Sequence, residues 1–270
     1  MIYLKNFLKG LVTGVATLVP GVSGGTMSII LGIYDDLIHA VSTFFENWKK
    51  NLTYLLVVGL GGALGILLFS RLLENAITNY PFVMQFLFMG VIIGGLPVLY
   101  RKSEASSKGN LKDYLFFILG FAIVLLMSAE PTAITDMATA HGILSVVFLF
   151  IAGIIIAIAL VLPGISGSFM LLILGLLDVT LNAINTFNIP FLIPLGLGVA
   201  AGTFGTAKII EKFLKKHPGK TYKLILGFVV GSLVQLFPGI PAGSQIIASV
   251  AAFIIGFLII FWMGKKGLTE

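Results

Sequence analysis

Cysteine is absent from this 270-residue chain, which excludes disulfides, thiolate metal sites and thiol nucleophiles. Charge is also scarce: 10% of the residues are charged, there are three histidines and two tryptophans, and a 58% hydrophobic content gives a mean hydropathy of +1.08. A chain of this kind cannot cover its apolar surface in water, so a soluble globular domain is excluded and a polytopic membrane protein is indicated. No small-x-small cleavage site closes the apolar run after Lys5 and Lys9, so the N-terminus does not read as a secretory signal. The net charge of +6 sits in short loops beside hydrophobic runs, where basic residues act as topology signals rather than as a nucleic-acid footprint.

Glycine and internal repetition are what the chain has in quantity. Its 32 glycines suit close helix–helix approach in lipid, where small residues let backbones touch. Laid over each other without a gap, Gly10 to Asp35 and Gly153 to Asp178 are identical at 11 of 26 positions. Both copies pivot on one kind of turn, Val19-Pro20-Gly21-Val22-Ser23-Gly24-Gly25 in the first and Leu162-Pro163-Gly164-Ile165-Ser166-Gly167-Ser168 in the second. Further on, Gly59, Gly61, Gly65, Arg71 and Glu74 correspond to Gly196, Gly198, Gly202, Lys208 and Glu211, and Pro81, Gly90 and Gly94 to Pro218, Gly227 and Gly231. A duplicated, Gly/Pro-interrupted hydrophobic segment is the pattern of a secondary transporter with its site between two repeats.

The expected fold is therefore an all-α polytopic membrane domain made of two repeats, 1–130 and 143–266. Each holds a broken segment, 6–45 or 145–187, and three spans: 52–73, 82–100 and 112–129, then 190–211, 221–237 and 245–263. The arm before each turn has about 12 to 15 apolar residues, roughly 20 Å of helix, which does not cross a ~30 Å hydrocarbon layer. Each broken segment is accordingly expected as a re-entrant helical hairpin. A hairpin plus three crossings is an odd number, so the second repeat must be inverted. With the N-terminus in the cytoplasm, 16 of the 17 basic residues fall inside and only Arg71 outside, and the C-terminus is also cytoplasmic. Trp48, Tyr54, Tyr100, Tyr114 and Trp262 stand near span ends, as interface anchors do.

At the pivots, Pro20 and Pro163 stop the incoming arm, Gly21, Gly24 and Gly25 permit the reversal, and Ser23 or Thr26 caps the returning helix. A helix start at membrane depth offers unpaired N–H groups to an anion such as a phosphate, with hydroxyls of Ser23, Thr26, Ser166 and Ser168 beside the amides of Gly24, Gly25 and Gly167. The alternative is that these residues only turn and pack the chain. Arg71 with Glu74, and Lys208 with Glu211, lie one turn apart near helix ends. They are either head-group contacts, one pair at each face, or plain i,i+3 ion pairs. Asp35 and Asp178 close the duplicated block and are either H+ or Na+ coupling sites or solvated caps. No cofactor or metal is expected. His39, His141 and His217 are scattered at span edges, and Glu130 and Asp136 read as loop residues.

With PGVSGGT (Pro20 to Thr26) followed by LGIYDDLI (Leu31 to Ile38), and LPGISGS (Leu162 to Ser168) followed by LG, the chain resembles the PopT-type polyprenyl-phosphate translocases over essentially its whole length. That resemblance implies a flippase that moves undecaprenyl phosphate, a lipid-linked monophosphate, from the outer to the inner leaflet of a bacterial plasma membrane for reuse in cell-wall synthesis. One departure is visible: members commonly carry a polar residue shortly before the first Pro-Gly, where this chain has Ala16-Thr17-Leu18-Val19. The rival readings are an ion-coupled carrier of a small soluble anion and an intramembrane lipid-phosphate phosphatase. The sequence shows no nucleophile, base or metal set for the latter.

Overall fold

A computed structural model describes residues 2–18, 22–106, 111–127, 142–243 and 245–265. Every regular element among them is helical. Val19, Pro20 and Gly21 of the first turn, together with Lys108, Glu130, Asp136, His141 and Lys266, lie outside the described residues.

The first half runs α1 (Ile2–Thr17), α2 (Gly24–Ile30), α3 (Tyr34–Ser42), α4 (Trp48–Asn79), α5 (Pro81–Ser106) and α6 (Tyr114–Met127). The second follows the same order: α7 (Ile143–Val161), α8 (Gly167–Ile173), α9 (Leu177–Asn185), α10 (Ile189–Lys216), α11 (Pro218–Leu236) and α12 (Gln245–Lys265). Proline sets several of the breaks. The residues before Pro81 and Pro218, Tyr80 and His217, leave the helical region at φ −135 and −138, so α4 and α10 stop there and the next helix starts on the proline. Leu162, ahead of Pro163, is likewise extended, which ends α7.

The segment after each turn is not one returning helix but two short ones. Ile33 N–H donates to Ser28 C=O and Gly32 N–H to Ile29 C=O, and Leu176 and Gly175 repeat the pattern on Leu171 and Leu172. This helix ending needs a left-handed residue, supplied by Gly32 at φ 69 and Gly175 at φ 65. The Leu-Gly of each motif is thus a chain break with a defined hydrogen-bond pattern.

Five described helices are long and apolar enough to cross a membrane: α4, α5, α7, α10 and α12 up to Trp262. The set differs from the expected spans in three ways. α7 has 19 residues, longer than the arm anticipated, because the unbroken Ile/Val/Leu/Ala run starts at Ile143. α6 has 14 described residues, and α11 carries Lys220 and Lys223 near its start; neither is among the five. α4 and α10 extend well beyond 52–73 and 190–211, since nothing before Pro81 or Pro218 breaks them, and 32 residues of α4 make about 48 Å of helix. Arg71, Glu74, Lys208 and Glu211 therefore sit within helices rather than at their ends.

Four tight helix pairs build the body: α1 on α4, α7 on α10, α5 on α12 and α6 on α11. The last two cross between halves, the third long helix of each half lying against the second of the other. Glycine sits at every one of these seams. A Cβ on Gly10, Gly153, Gly90 or Gly120 would overlap the main-chain carbonyl of Val58, Leu195, Phe253 or Leu224 respectively, and one on Gly61, Gly198, Gly256 or Gly227 would do the same from the opposite helix. Direct backbone contact replaces the hydrophobic drive that lipid cannot supply. Gly59 and Gly196 have no neighbour within 4 Å and face outward.

Gly198→Val should lower stability by about 1–3 kcal/mol through overpacking at the α7–α10 seam. By contrast, Gly196→Ala should be neutral or stabilising by up to about 1 kcal/mol, from helix propensity alone. Thermal unfolding in detergent, followed by loss of monodisperse protein, separates the two outcomes.

Candidate functional site

The two turns meet. Ser23 caps α2, its Oγ accepting the Thr26 N–H at 3.1 Å, and lies 2.8 Å from Thr26 Oγ1. Across the junction the backbone N–H of Gly164 is shared between Ser23 Oγ at 2.9 Å and Thr26 Oγ1 at 2.8 Å. Gly25 lies against Pro163, where an added Cβ would come within 3.1 Å of its Cα. Gly164 itself adopts φ 85, and its Cα abuts the Phe228 main chain, so no larger residue fits. Ser23, Thr26, Pro163, Gly164 and Gly167 are all buried. Tyr34 adds a second tie, its hydroxyl donating to Val161 C=O at 3.0 Å.

Hydrogen accounting at this junction is informative. Ser23 Oγ takes two N–H groups, which fills its lone pairs, so its own proton goes to Thr26 Oγ1. Thr26 Oγ1 then accepts from Ser23 and Gly164 and retains one hydroxyl hydrogen with no acceptor among the described residues. Ser23 is thus engaged within the protein, and Thr26 is the hydroxyl with a donor to spare. Ser166 stands at the start of α8 and makes no side-chain cap. Ser168 lies in the first turn of α8, and its side chain is outside the described part.

The outlying sequence candidates separate into docked and free sets. Glu211 is held by three groups: His39 Nδ1 at 2.6 Å, Lys215 Nζ at 2.7 Å and the Ser42 hydroxyl. Asp35 accepts the Tyr222 hydroxyl at 2.6 and 2.7 Å and Lys102 Nζ at 3.0 Å. Arg71, Glu74, Lys208 and Asp178 are exposed and form no ion pair among the described residues, so neither i,i+3 pair is closed. Lys223, counted from the sequence among solvated topology signals, is instead buried, 2.5 Å from Glu104 Oε1 and 3.7 Å above the Tyr114 ring. Its partners come from α5 and α6, which no local pattern reveals.

From the sequence His39 reads as an edge histidine and Lys102 only as one of the inside basic residues, and no role attaches to Tyr34, Ser42 or Tyr222. A signal existed for Tyr34 alone, since it abuts the duplicated Leu-Gly break; Tyr222 and Lys102 are far from Asp35 in sequence. Among the described residues no group of three or more His, Asp or Glu side chains gathers in a way that would hold a metal ion.

Residues 13–254 match the family model described as VCA0040-like, undecaprenyl phosphate translocase-like. The chain belongs to that family. Within it, the chain is 37% identical to a polyprenyl-phosphate transporter of Staphylococcus aureus (strain NCTC 8325 / PS 47), over 96% of its own length and 95% of the relative's. It is 28% identical to a polyprenyl-phosphate transporter of Vibrio cholerae serotype O1 (strain ATCC 39315 / El Tor Inaba N16961), over 88% and 79%. No solved structure matches. The apolar helices and the translocase-like relatives together make this a multi-pass membrane protein.

Removing the acceptor at the junction of this translocase-like fold should be costly. Ser23→Ala leaves the Thr26 N–H without its cap and Gly164 with one acceptor, and is expected to destabilise the protein by about 1–3 kcal/mol. Ser23→Thr, which keeps the hydroxyl, should recover most of the loss in the same thermal measurement.

Proposed function

We propose that this protein transports a polyprenyl phosphate, with undecaprenyl phosphate as cargo, from the outer to the inner leaflet of a bacterial plasma membrane, returning carrier lipid for cell-wall synthesis. The observation that carries this reading is the buried meeting of two duplicated turns in a chain whose relatives are named for that cargo. An ordinary crossing helix ends in water. Here the 19-residue α7 leads into Pro163 and Gly164, which are packed against Ser23, Gly25 and Thr26 at the start of α2.

That arrangement supports re-entrant hairpins entering from opposite faces, within inverted repeats 1–130 and 143–266; in this reading α7, although long enough to cross, ends at the buried junction, and α6 and α11 complete six spans with α4, α5, α10 and α12. Both termini are cytoplasmic in this arrangement, following the positive-inside distribution. A monophosphate head group crosses beside the junction, where the first-turn amides of Gly24, Gly25, Gly167 and Ser168 and the hydroxyls of Thr26 and Ser166 replace its water. Ser23 holds Thr26 in place. Arg71 receives the head group at the outer face and Lys208 releases it at the inner one, while the isoprenoid tail stays in lipid against exposed apolar side chains such as Leu67 and Leu68. Asp35, Asp178, Glu74 and Glu211 are the acidic groups through which H+ or Na+ would act. The work is transport and not bond cleavage.

Purified protein in vesicles should accelerate leaflet exchange of labelled undecaprenyl phosphate. Movement of inorganic phosphate with the lipid left in place would overturn the reading. Arg71→Ala and Ser166→Ala are each expected to slow the exchange about tenfold, the equivalent of one charge-assisted hydrogen bond, at unchanged yield of folded protein.

For the topology, a cysteine at Asn188 should react with an impermeant thiol reagent from outside intact cells, and one at Lys216 only after permeabilisation. The reverse labelling would refute the inverted arrangement.

A further inference from the structure

The two halves carry the same elements, yet only one return arm is docked. α3 lies along α10, with the Phe44 and Phe45 rings 6.0 and 5.7 Å from Phe204 and with His39 and Ser42 both on the Glu211 carboxylate. Its counterpart α9 rests on α8 and α10 and makes no comparable docking on α4, the counterpart of α10. The difference is not local. Thr43 Oγ1 bonds His39 C=O at 2.7 Å and Thr186 Oγ1 bonds Asn182 C=O at 2.8 Å, so the two arms end in the same way.

The repeat alignment says which residues the missing contact would use. His39, Ser42 and Phe44 correspond to Asn182, Asn185 and Phe187, and Glu211 and Phe204 to Glu74 and Leu67. Each member of the second set stands open. Phe187 and Leu67 are 79% and 75% exposed, against half-buried Phe44 and Phe204. Glu74 is exposed and borders a hollow of about 330 Å³ along α4 that also includes Ser70 and Thr78. Another of about 360 Å³ runs beside α9 past Asn182 and Thr186. Asp178 has no bond among the described residues, whereas its counterpart Asp35 is tied to α5 and α11.

We propose that Glu211 and Glu74 are alternative latches of one rocking gate. The state described here holds Glu211 against His39 and Ser42. In the opposite state that contact opens, and Glu74 takes amide hydrogens from Asn182 and Asn185 while Phe187 covers Leu67. Both latches are charge-assisted, so each closed state is stabilised by the same class of contact. The gate rests on the transport reading for its purpose, not for its geometry. Under the charge distribution above, the docked side is cytoplasmic and the open side faces the outer leaflet, the side from which the head group is loaded.

The natural absence of cysteine makes the test direct. In reconstituted vesicles, Phe44→Cys/Phe204→Cys and Phe187→Cys/Leu67→Cys are treated separately with a short bifunctional thiol reagent, each also in Glu211→Gln and Glu74→Gln backgrounds. Both pairs should cross-link, and either link should stop lipid exchange. Glu211→Gln should lower the yield of the first pair and raise that of the second, Glu74→Gln should do the opposite, and each shift should be about tenfold in the ratio of yields. A second pair that never links, or yields that fall together in both backgrounds, overturns the gate. Asn182→Ala with Asn185→Ala must reproduce the Glu74→Gln shift, or the assigned partners are wrong. Lipid exchange before treatment without reciprocal cross-linking afterwards sinks the gate and leaves the transport reading standing; reciprocal cross-linking of protein that exchanges no lipid before treatment does the reverse.

Discussion

A backbone N–H removed from water has to be met by a protein acceptor, and the architecture is arranged around that demand at one spot. The Gly164 N–H in the second turn is taken by two hydroxyls of the first, Ser23 and Thr26. For those atoms to meet, Gly25 must lie on Pro163 and Gly164 on Phe228 without side chains between them. In the second turn Pro163 and Gly164 end α7 and reverse the chain, and hydroxyls of the first motif satisfy the N–H that this reversal exposes.

Around the junction the halves are interlocked rather than merely adjacent. α6 packs on α11 and α12 on α5, so the third long helix of each half belongs spatially to the other, while α1 with α4 and α7 with α10 remain intra-half pairs. Glycine-lined backbone contact holds each of these pairs at close range. The short return arms α3 and α9, which follow the glycine breaks at 32 and 175, are where the halves differ. One is docked on the other half's long helix and the other is not, the asymmetry on which the proposed gate rests.

The few ionisable side chains follow this division. Lys223 and Glu104 close a contact between α5 and α11, with Tyr114 of α6 against the ammonium, and belong to the body of paired helices. Asp35 and Glu211 clasp the docked arm. Their counterparts Asp178 and Glu74 face open space. In a chain with so little charge, placement of each carboxylate carries more structural meaning than its sequence neighbours disclose.

From residues alone the class, the duplication and the break at Pro163-Gly164 are legible, because hydropathy and the Pro-Gly/Ser-Gly pattern are local properties of the chain. The cap by Ser23 follows the same logic, and so does the match to the family, whose motifs are contiguous. Helix ends were less legible: α4 and α10 continue past their apolar stretches because polar residues such as Glu74, Asn75 and Lys212 are good enough helix formers until a proline intervenes. Only the folded chain decided that Ser23 and Thr26 serve Gly164, that Lys223 is buried, that Glu211 binds His39 rather than Lys208, and that α3 is docked while α9 is not. Each of these depends on contacts between segments more than 100 residues apart, whose energies arise from packing and desolvation in three dimensions and leave no periodicity in the sequence.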